Sequence, residues 1–217
     1  LSLASMIGSD YASSSDIKYD GQNMIFSGAE NYVWEAGGFD TDQQLMFASS
    51  SNGQLSIVGP TNLELVADDL SLPTSMRGMH INDGYLYASL YGQNSVDNFR
   101  IIDIRNPAKP RVVGGDNIAN LPHASAKRIY ASGNYAYISY DTGTSTDNFR
   151  IIDITDKSDP KVVDGFSFDS ELYGGPGEPL YVQGKYAILL GSSVPGGDTS
   201  SLKVIDVSTP ATPKIVG

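Results

Sequence analysis

The stretch Asp97–Ile104 reads DNFRIIDI, and Asp147–Ile154, 50 residues later, reads DNFRIIDI again. A third copy, SLKVIDV, occupies Ser201–Val207. The copies share their surroundings. Each is followed by a turn and a short apolar run: NPAKPRVVG from Asn106, DKSDPKVVDG from Asp156 and STPATPKIVG from Ser208. Each is preceded by a glycine-led strand pattern: GYLYASLY from Gly84, GNYAYISY from Gly133 and GKYAILLG from Gly184. A fixed period near 50 with strand signals alone indicates stacked sheet units, none of which buries its apolar surface by itself.

Within one copy the side chains alternate. Tyr85, Tyr87, Ser89 and Tyr91 interleave with Leu86, Ala88 and Leu90, a period of two in which both sets carry bulk. Such a strand suits a sheet with neighbours on both faces. No segment carries a 3.6-residue period, so almost no helix is expected. Four strands are expected per copy; in the second they fall at about Met79–Asn82, Tyr85–Tyr91, Phe99–Ile104 and Pro110–Val113. A drifted first copy runs from about Asn23. Its glycine-led strand is GAENYVWEA from Gly28, its third strand QLSIVG from Gln54 and its outer strand NLELVA from Asn62, with Gly59 where the others have Asp.

The expected fold is therefore all-β: a β-propeller segment of four repeats, each a four-stranded antiparallel blade. The repeats divide at residues 9–66, 67–114, 115–165 and 166–217, and residues 1–8 read as a spare outer strand. That spare strand predicts flanking blades or partner subunits. The alternative is a closed four-bladed ring with residues 1–8 as a tail.

The motifs G-x-Y-A-Y-I at Gly133–Ile138, (F/L)-(R/K)-(I/V)-I-D-(I/V) and N-P-x-x-P resemble the LVIVD-repeat family, well over Met79–Gly217 and loosely over Asn23–Ala67. The resemblance implies a β-propeller and a secreted or cell-surface location. It implies no reaction, because the family has no general catalytic motif to carry over.

Composition narrows the function. The net charge is −11, and an acidic surface repels phosphate backbones, so no nucleic-acid partner is expected. There is no cysteine, which removes disulfides, thiolate nucleophiles and cysteine-ligated zinc. No run of residues is long and apolar enough for a membrane helix. The two histidines, His80 in GMHIND and His123 in LPHAS, match no zinc-binding helix motif,. No G-x-S-x-G elbow occurs for a serine nucleophile. Glu171 and Glu178 flank the loop YGGPGEP, but two carboxylates need a defined separation to act as a glycosidase pair,. No cofactor is expected. Calcium is the one metal to weigh, at the oxygen-rich loop DTGTSTDN with Asp141 and Asp147, although the spacing departs from the EF-hand pattern; GGFDTD (Gly37–Asp42) is weaker.

Asp103, Asp153 and Asp206 recur where a strand meets a proline-containing turn. There an Asp accepts hydrogen bonds from the backbone just beyond it, as in an Asx-turn. The rival reading is a ring of carboxylates for cations. The long connections fall between second and third strands (Ala36–Gln44, Gly92–Asn98, Asp141–Asn148, Gly191–Ser200) and between repeats (Ala67–Gly78, Gly115–Ala126, Gly165–Glu178). In a blade both kinds emerge on one face, and variable loops on a rigid scaffold are the usual place for binding. Tyr91, His123, Tyr140 and Tyr173 lie on or beside that face and are the candidate contact residues for a protein or carbohydrate surface,. The reading is a non-catalytic extracellular or cell-surface binding or scaffold module. The alternative is a hydrolase or lyase with its site at the propeller axis, built from unpaired carboxylates or His80.

Overall fold

The computed structural model describes residues 16–19, 24–27, 36–40, 45–49, 54–58, 65–74, 76–91, 98–116, 118, 121, 125–141, 149–166, 180–192 and 200–217, with side chains described from Leu70 onward except at 125, 141, 164–166, 190–192, 200 and 201. Among these residues every regular element is a strand. A hairpin of β1 (Asp16–Tyr19) and β2 (Met24–Ser27) forms a two-stranded sheet. Four four-stranded sheets follow. The first is β3 (Ala36–Asp40), β4 (Leu45–Ser49), β5 (Gln54–Val58) and β6 (Leu65–Ser71). The second is β7 (Met76–Asn82), β8 (Tyr85–Leu90), β9 (Phe99–Asp103) and β10 (Arg111–Gly114). The third is β11 (Ser125–Ser132), β12 (Tyr135–Asp141), β13 (Phe149–Asp153) and β14 (Lys161–Phe166). The fourth is β15 (Leu180–Gln183), β16 (Tyr186–Ser192), β17 (Ser200–Asp206) and β18 (Lys214–Ile215).

Each sheet is an antiparallel meander in chain order. The tight first hairpins follow from their turn residues. Asp83 and Gly84 both take positive φ, at 52° and 72°, the combination a two-residue hairpin with right-handed strand twist requires. Gly133 and Gly184, at 56° and 57°, serve the third and fourth sheets.

The sheets stack through their first strands: β3 lies against β7, β7 against β11, and β11 against β15. Burial follows the alternation read from the sequence. On one face of the second sheet, Leu86, Ala88, Leu90, Ile102 and Ile104 gather with Leu72 and Met76. On the other, Tyr87, Phe99 and Ile101 meet Ala126, Ile129, Ala136, Ile138, Tyr140 and Ile152 of the third sheet. The third sheet then presents Tyr137, Phe149 and Ile151 to Leu180, Val182, Ala187, Leu189 and Ile205 of the fourth. One repeat's core is thus completed only by the next, as expected for a linear array of sheet repeats.

The first repeat departs from its expected layout. Asn23–Ser27 was to open that repeat, but Met24–Ser27 instead pairs with β1 in the separate hairpin. The expected second strand from Gly28 lies largely outside the described residues, and Ala36–Gln44, expected as a long loop, contains β3. The cause is the connection length. Thr41–Gln44 spans four residues between paired Asp40 and Leu45, so the glycine-led hairpin rule of the other repeats fails here. The outer strand β6 extends to Ser71 instead of stopping near Val66, because two register shifts against β5 absorb extra residues,. The connection to β7 is correspondingly short, not the expected 67–78. The proposed spare strand at residues 1–8 lies outside the described residues.

Candidate functional site

The two ends of the stack are built differently. At the end with short turns, a device repeats three times. Asp103 Oδ1 accepts the Arg105 backbone N–H at 3.1 Å, Asp153 Oδ1 that of Thr155 at 2.8 Å, and Asp206 Oδ1 that of Ser208 at 2.9 Å. The next residue in each copy, Ile104, Ile154 or Val207, donates its N–H to the first hairpin at Gly84, Asn134 or Lys185. Each Asp thereby closes the turn after its strand, and the following residue ties that turn to the neighbouring hairpin. Hydrogen bonds from the turn hold all three carboxyls below the ordinary carboxylate range,.

Asp103 carries more than its counterparts. Arg105 donates to both carboxylate oxygens, at 2.9 and 2.7 Å, and Arg111 donates to Oδ2 at 3.0 Å. The Asp103 side chain is almost wholly covered while both arginines reach solvent. Asp103→Ala is expected to cost about 1–2 kcal/mol, against about 0.5–1.5 kcal/mol for Asp153→Ala, because only the former also loses charge-assisted bonds to two arginines, whose solvent exposure limits the difference. Urea titration of the two variants compares them. The sign with pH follows from the depressed folded value. Asp103 stabilises fully above about pH 4, where the unfolded carboxyl ionises, and its contribution is lost as pH falls further.

Along the first strands an aromatic ladder crosses three repeats. His80 of β7, Tyr130 of β11 and Tyr181 of β15 occupy matching positions two residues before the end of the hairpin strand. The His80 and Tyr130 rings are tilted at 4.0 Å between centroids, and Tyr130 meets Tyr181 edge-on at 5.3 Å. His80 Nδ1 accepts the Ala131 N–H at 3.2 Å, which leaves no room for a proton on that nitrogen. Burial lowers the His80 pKa to about 4,. Between that value and the unfolded value near 6.5 the unfolded chain binds the extra proton, so stability falls as pH drops through this window. His80→Phe is expected to flatten the melting temperature between about pH 6.5 and pH 4; a slope unchanged from wild type counts against the assignment.

At the other end lie the longer connections. Tyr91, just past β8, is half-buried and carries the Arg77 guanidinium over its ring at 4.6 Å,. The Arg77 carbonyl accepts from Arg128 of the next repeat at 2.9 Å. Tyr140 is no rim residue: it is 3% exposed, within the core between the second and third sheets, with its hydroxyl donating to Asn98 at 3.4 Å. Burial pushes the Tyr140 hydroxyl far up. His123, Tyr173 and Asp147 lie outside the described residues, as do Glu171 and Glu178, and Asp141 closes β12. Among the described residues no group of three or more His, Asp and Glu side chains is placed to hold a metal ion, and no helix is long and apolar enough to cross a membrane.

A feature absent from the sequence reading is a groove of about 720 Å³ at the outer rim, between β10 and the turn entering β14. Val112, Gly114, Asp116 and Ile118 form one wall, and Asp159, Pro160 and Lys161 the other. Its parts lie some 45 residues apart in the chain, so only the stacking of successive repeats brings them together.

This architecture, antiparallel four-stranded sheets stacked through their first strands, is that of β-propeller repeats. The pattern of the LVIVD repeat matches residues 124–167 and 197–217. Among solved structures the chain is similar to the computationally designed Ika4 protein, at 11% identity and a TM-score of 0.55, covering 81% of this chain and 92% of that one. It is similar to the β-propeller domain of Myceliophteria thermophila Cps50 (Swd1), at 9% identity and TM-score 0.59, covering 93% and 67%. It is also similar to the RRP9 WD40 repeats, at 9% identity and TM-score 0.58, covering 89% of this chain and 55% of that one. The chain thus spans little more than half of the RRP9 structure. Identities this low carry the fold alone. Comparison with curated proteins gives no match.

Proposed function

We propose that the chain is a non-catalytic binding or scaffold module that contacts a protein partner, at the cell surface or outside the cell, through the end bearing the connections between second and third strands and between sheets. The supporting observation is the asymmetry of the two ends. The short turns are consumed by internal hydrogen bonds from Asp103, Asp153 and Asp206. The opposite end offers Tyr91 with its ring partly accessible and capped by a cation. An aromatic ring stiffened by an arginine is a low-entropy contact for a protein surface. Closure of the sheets into a ring, and the number of blades in it, belong to this proposal as well.

The test places a photoactivatable cross-linker at Tyr91 in one variant and at Asp156, in a short turn, in another. Both are exposed to the intact surface of the source cells. Adducts from position 91 alone support the reading. Adducts from position 156 alone overturn it, and capture of a glycan rather than a protein at position 91 changes the partner class.

A further inference from the structure

Two repeats carry the same irregularity at the loop-bearing end of their first strand. In β7 the register shifts between Met76, opposite Leu90, and Gly78, opposite Ser89. In β11 it shifts between Ala126, opposite Tyr140, and Arg128, opposite Ser139. The extra residue is Arg77 in one strand and Lys127 in the other, so a bulge takes a cation out of the strand's alternation at the same position twice. Both bulges are tied down. Ser89 Oγ lies 3.3 Å from the Gly78 and Lys127 carbonyl oxygens and shares its proton between them. Ser139 Oγ accepts the Arg128 N–H at 3.2 Å, and the Arg128 guanidinium donates to the Arg77 carbonyl at 2.9 Å. Positive charge from two repeats thus gathers at the seam between the second and third sheets, in a chain of net charge −11.

The half-buried Arg77 is the member whose charge the fold leaves unmatched. The Tyr91 ring covers one face of its guanidinium at 4.6 Å, which fixes the plane of the group. Among the described residues no carboxylate pairs with it, and its Nε, shut off from water, has no acceptor. A charged donor held in this way is costly until an acceptor arrives. With one face stacked, the guanidinium meets an acceptor at its edge, where the planar fork of N–H groups matches a carboxylate.

We infer that the Arg77–Tyr91 pair is a carboxylate-binding site, and that its occupant is an aspartate or glutamate side chain of the protein partner. The inference rests on the proposed contact through the loop-bearing end and supplies its chemistry. Net charge restricts the occupant further. A chain at −11 repels a run of anions at long range, whereas one carboxylate set in a neutral or basic surface meets no such barrier. Substitution at Arg77 leaves the mount in place, because Arg128 holds the backbone carbonyl and not the side chain.

Two measurements test it. In the first, sodium acetate is titrated into the purified chain and the Arg77 Nε–H resonance, assigned by its loss in Arg77→Lys, is followed by NMR. A saturable shift is expected with acetate and none with sodium chloride at equal ionic strength. In the second, an aromatic photo-cross-linker at position 91, which keeps a ring over the guanidinium, is exposed to the intact surface of the source cells. Protein adducts are expected to fall about tenfold or more in Arg77→Gln at unchanged melting temperature, and likewise when the cell-surface carboxylates are first amidated with carbodiimide and ethanolamine. Adducts undiminished by Arg77→Gln or by amidation overturn the inference and leave the loop-bearing contact standing. No adducts with Arg77 in place overturn that contact and this inference with it. A resonance shift that chloride reproduces, or no shift with acetate, overturns the carboxylate site alone.

Discussion

Phe149→Ala is expected to destabilise the protein by about 3–5 kcal/mol, and Leu202→Ala by well under about 1 kcal/mol. The two residues occupy the same position of successive repeats, the first apolar residue of the third strand. Phe149 is fully buried and packs against Tyr137 at 6.3 Å between centroids, inside the cluster that joins the third and fourth sheets. Removing its ring leaves a cavity between two sheets that are already held apart by their own backbones. The lost transfer energy and the cavity cost therefore add. Leu202 is 54% exposed, so truncating it in the isolated chain forfeits little burial. For a chain of this size the Phe149 change corresponds to a fall in melting temperature of about 10 °C. Differential scanning calorimetry measures both. Equal losses for the two variants would mean that the fourth sheet is covered after all.

The contrast shows what repeat phase makes legible. The second to fourth repeats were readable because each signal recurs with a physical cause: a positive-φ glycine turn, an Asp that closes the next turn, and a proline that cannot donate to the sheet ladder. The first repeat was not, because its first hairpin has a four-residue connection and its outer strand is bulged, and neither feature leaves a glycine or proline in the expected place.

Among the candidate contact residues, Tyr91 and Tyr140 looked alike because both end a second strand. Phase separates them. Aligning Tyr135 with Tyr85, which pair with Asp153 and Asp103, puts Tyr140 at the position of Leu90, a core residue. A shift of one residue moves a side chain to the opposite face of a strand. That alignment was available in the sequence and would have placed Tyr140 inside. The outer groove was not available, because it depends on the distance between one repeat's outer strand and the next repeat's turn.

That same distance makes Gly114→Ala the second large expected effect, about 3 kcal/mol of destabilisation. Repeat logic alone argues the reverse. Gly114 pairs with Ile101 as Asp164 pairs with Ile151, so position 114 appears in the next repeat as an aspartate, and a side chain looks acceptable there. The structure places the next repeat's turn directly over Gly114. A Cβ built on it runs into the backbone carbonyl of Lys157, with Ser158 Cα at 3.3 Å. Backbone atoms cannot swing aside as the end of a long side chain can, so the turn or the outer strand must shift. That turn is braced by the Asp156 carboxylate, which accepts from the Ser158 N–H at 2.9 Å, and by the Asp159 N–H on the Asp156 carbonyl at 3.2 Å. The adjoining Gly115 resists a shift of the strand. Its φ is 97°, and its carbonyl accepts from the buried Arg100 guanidinium at 3.2 Å. Neither wall yields cheaply, so Gly114→Ala separates the second and third sheets at their outer rim, and the repeat-guided Gly114→Asp does so more severely. Chemical denaturation gives the loss, and hydrogen exchange locates it at β10 and the 155–160 turn. A Gly114→Ala protein as stable as wild type would show that the outer strand and the following turn are not in contact.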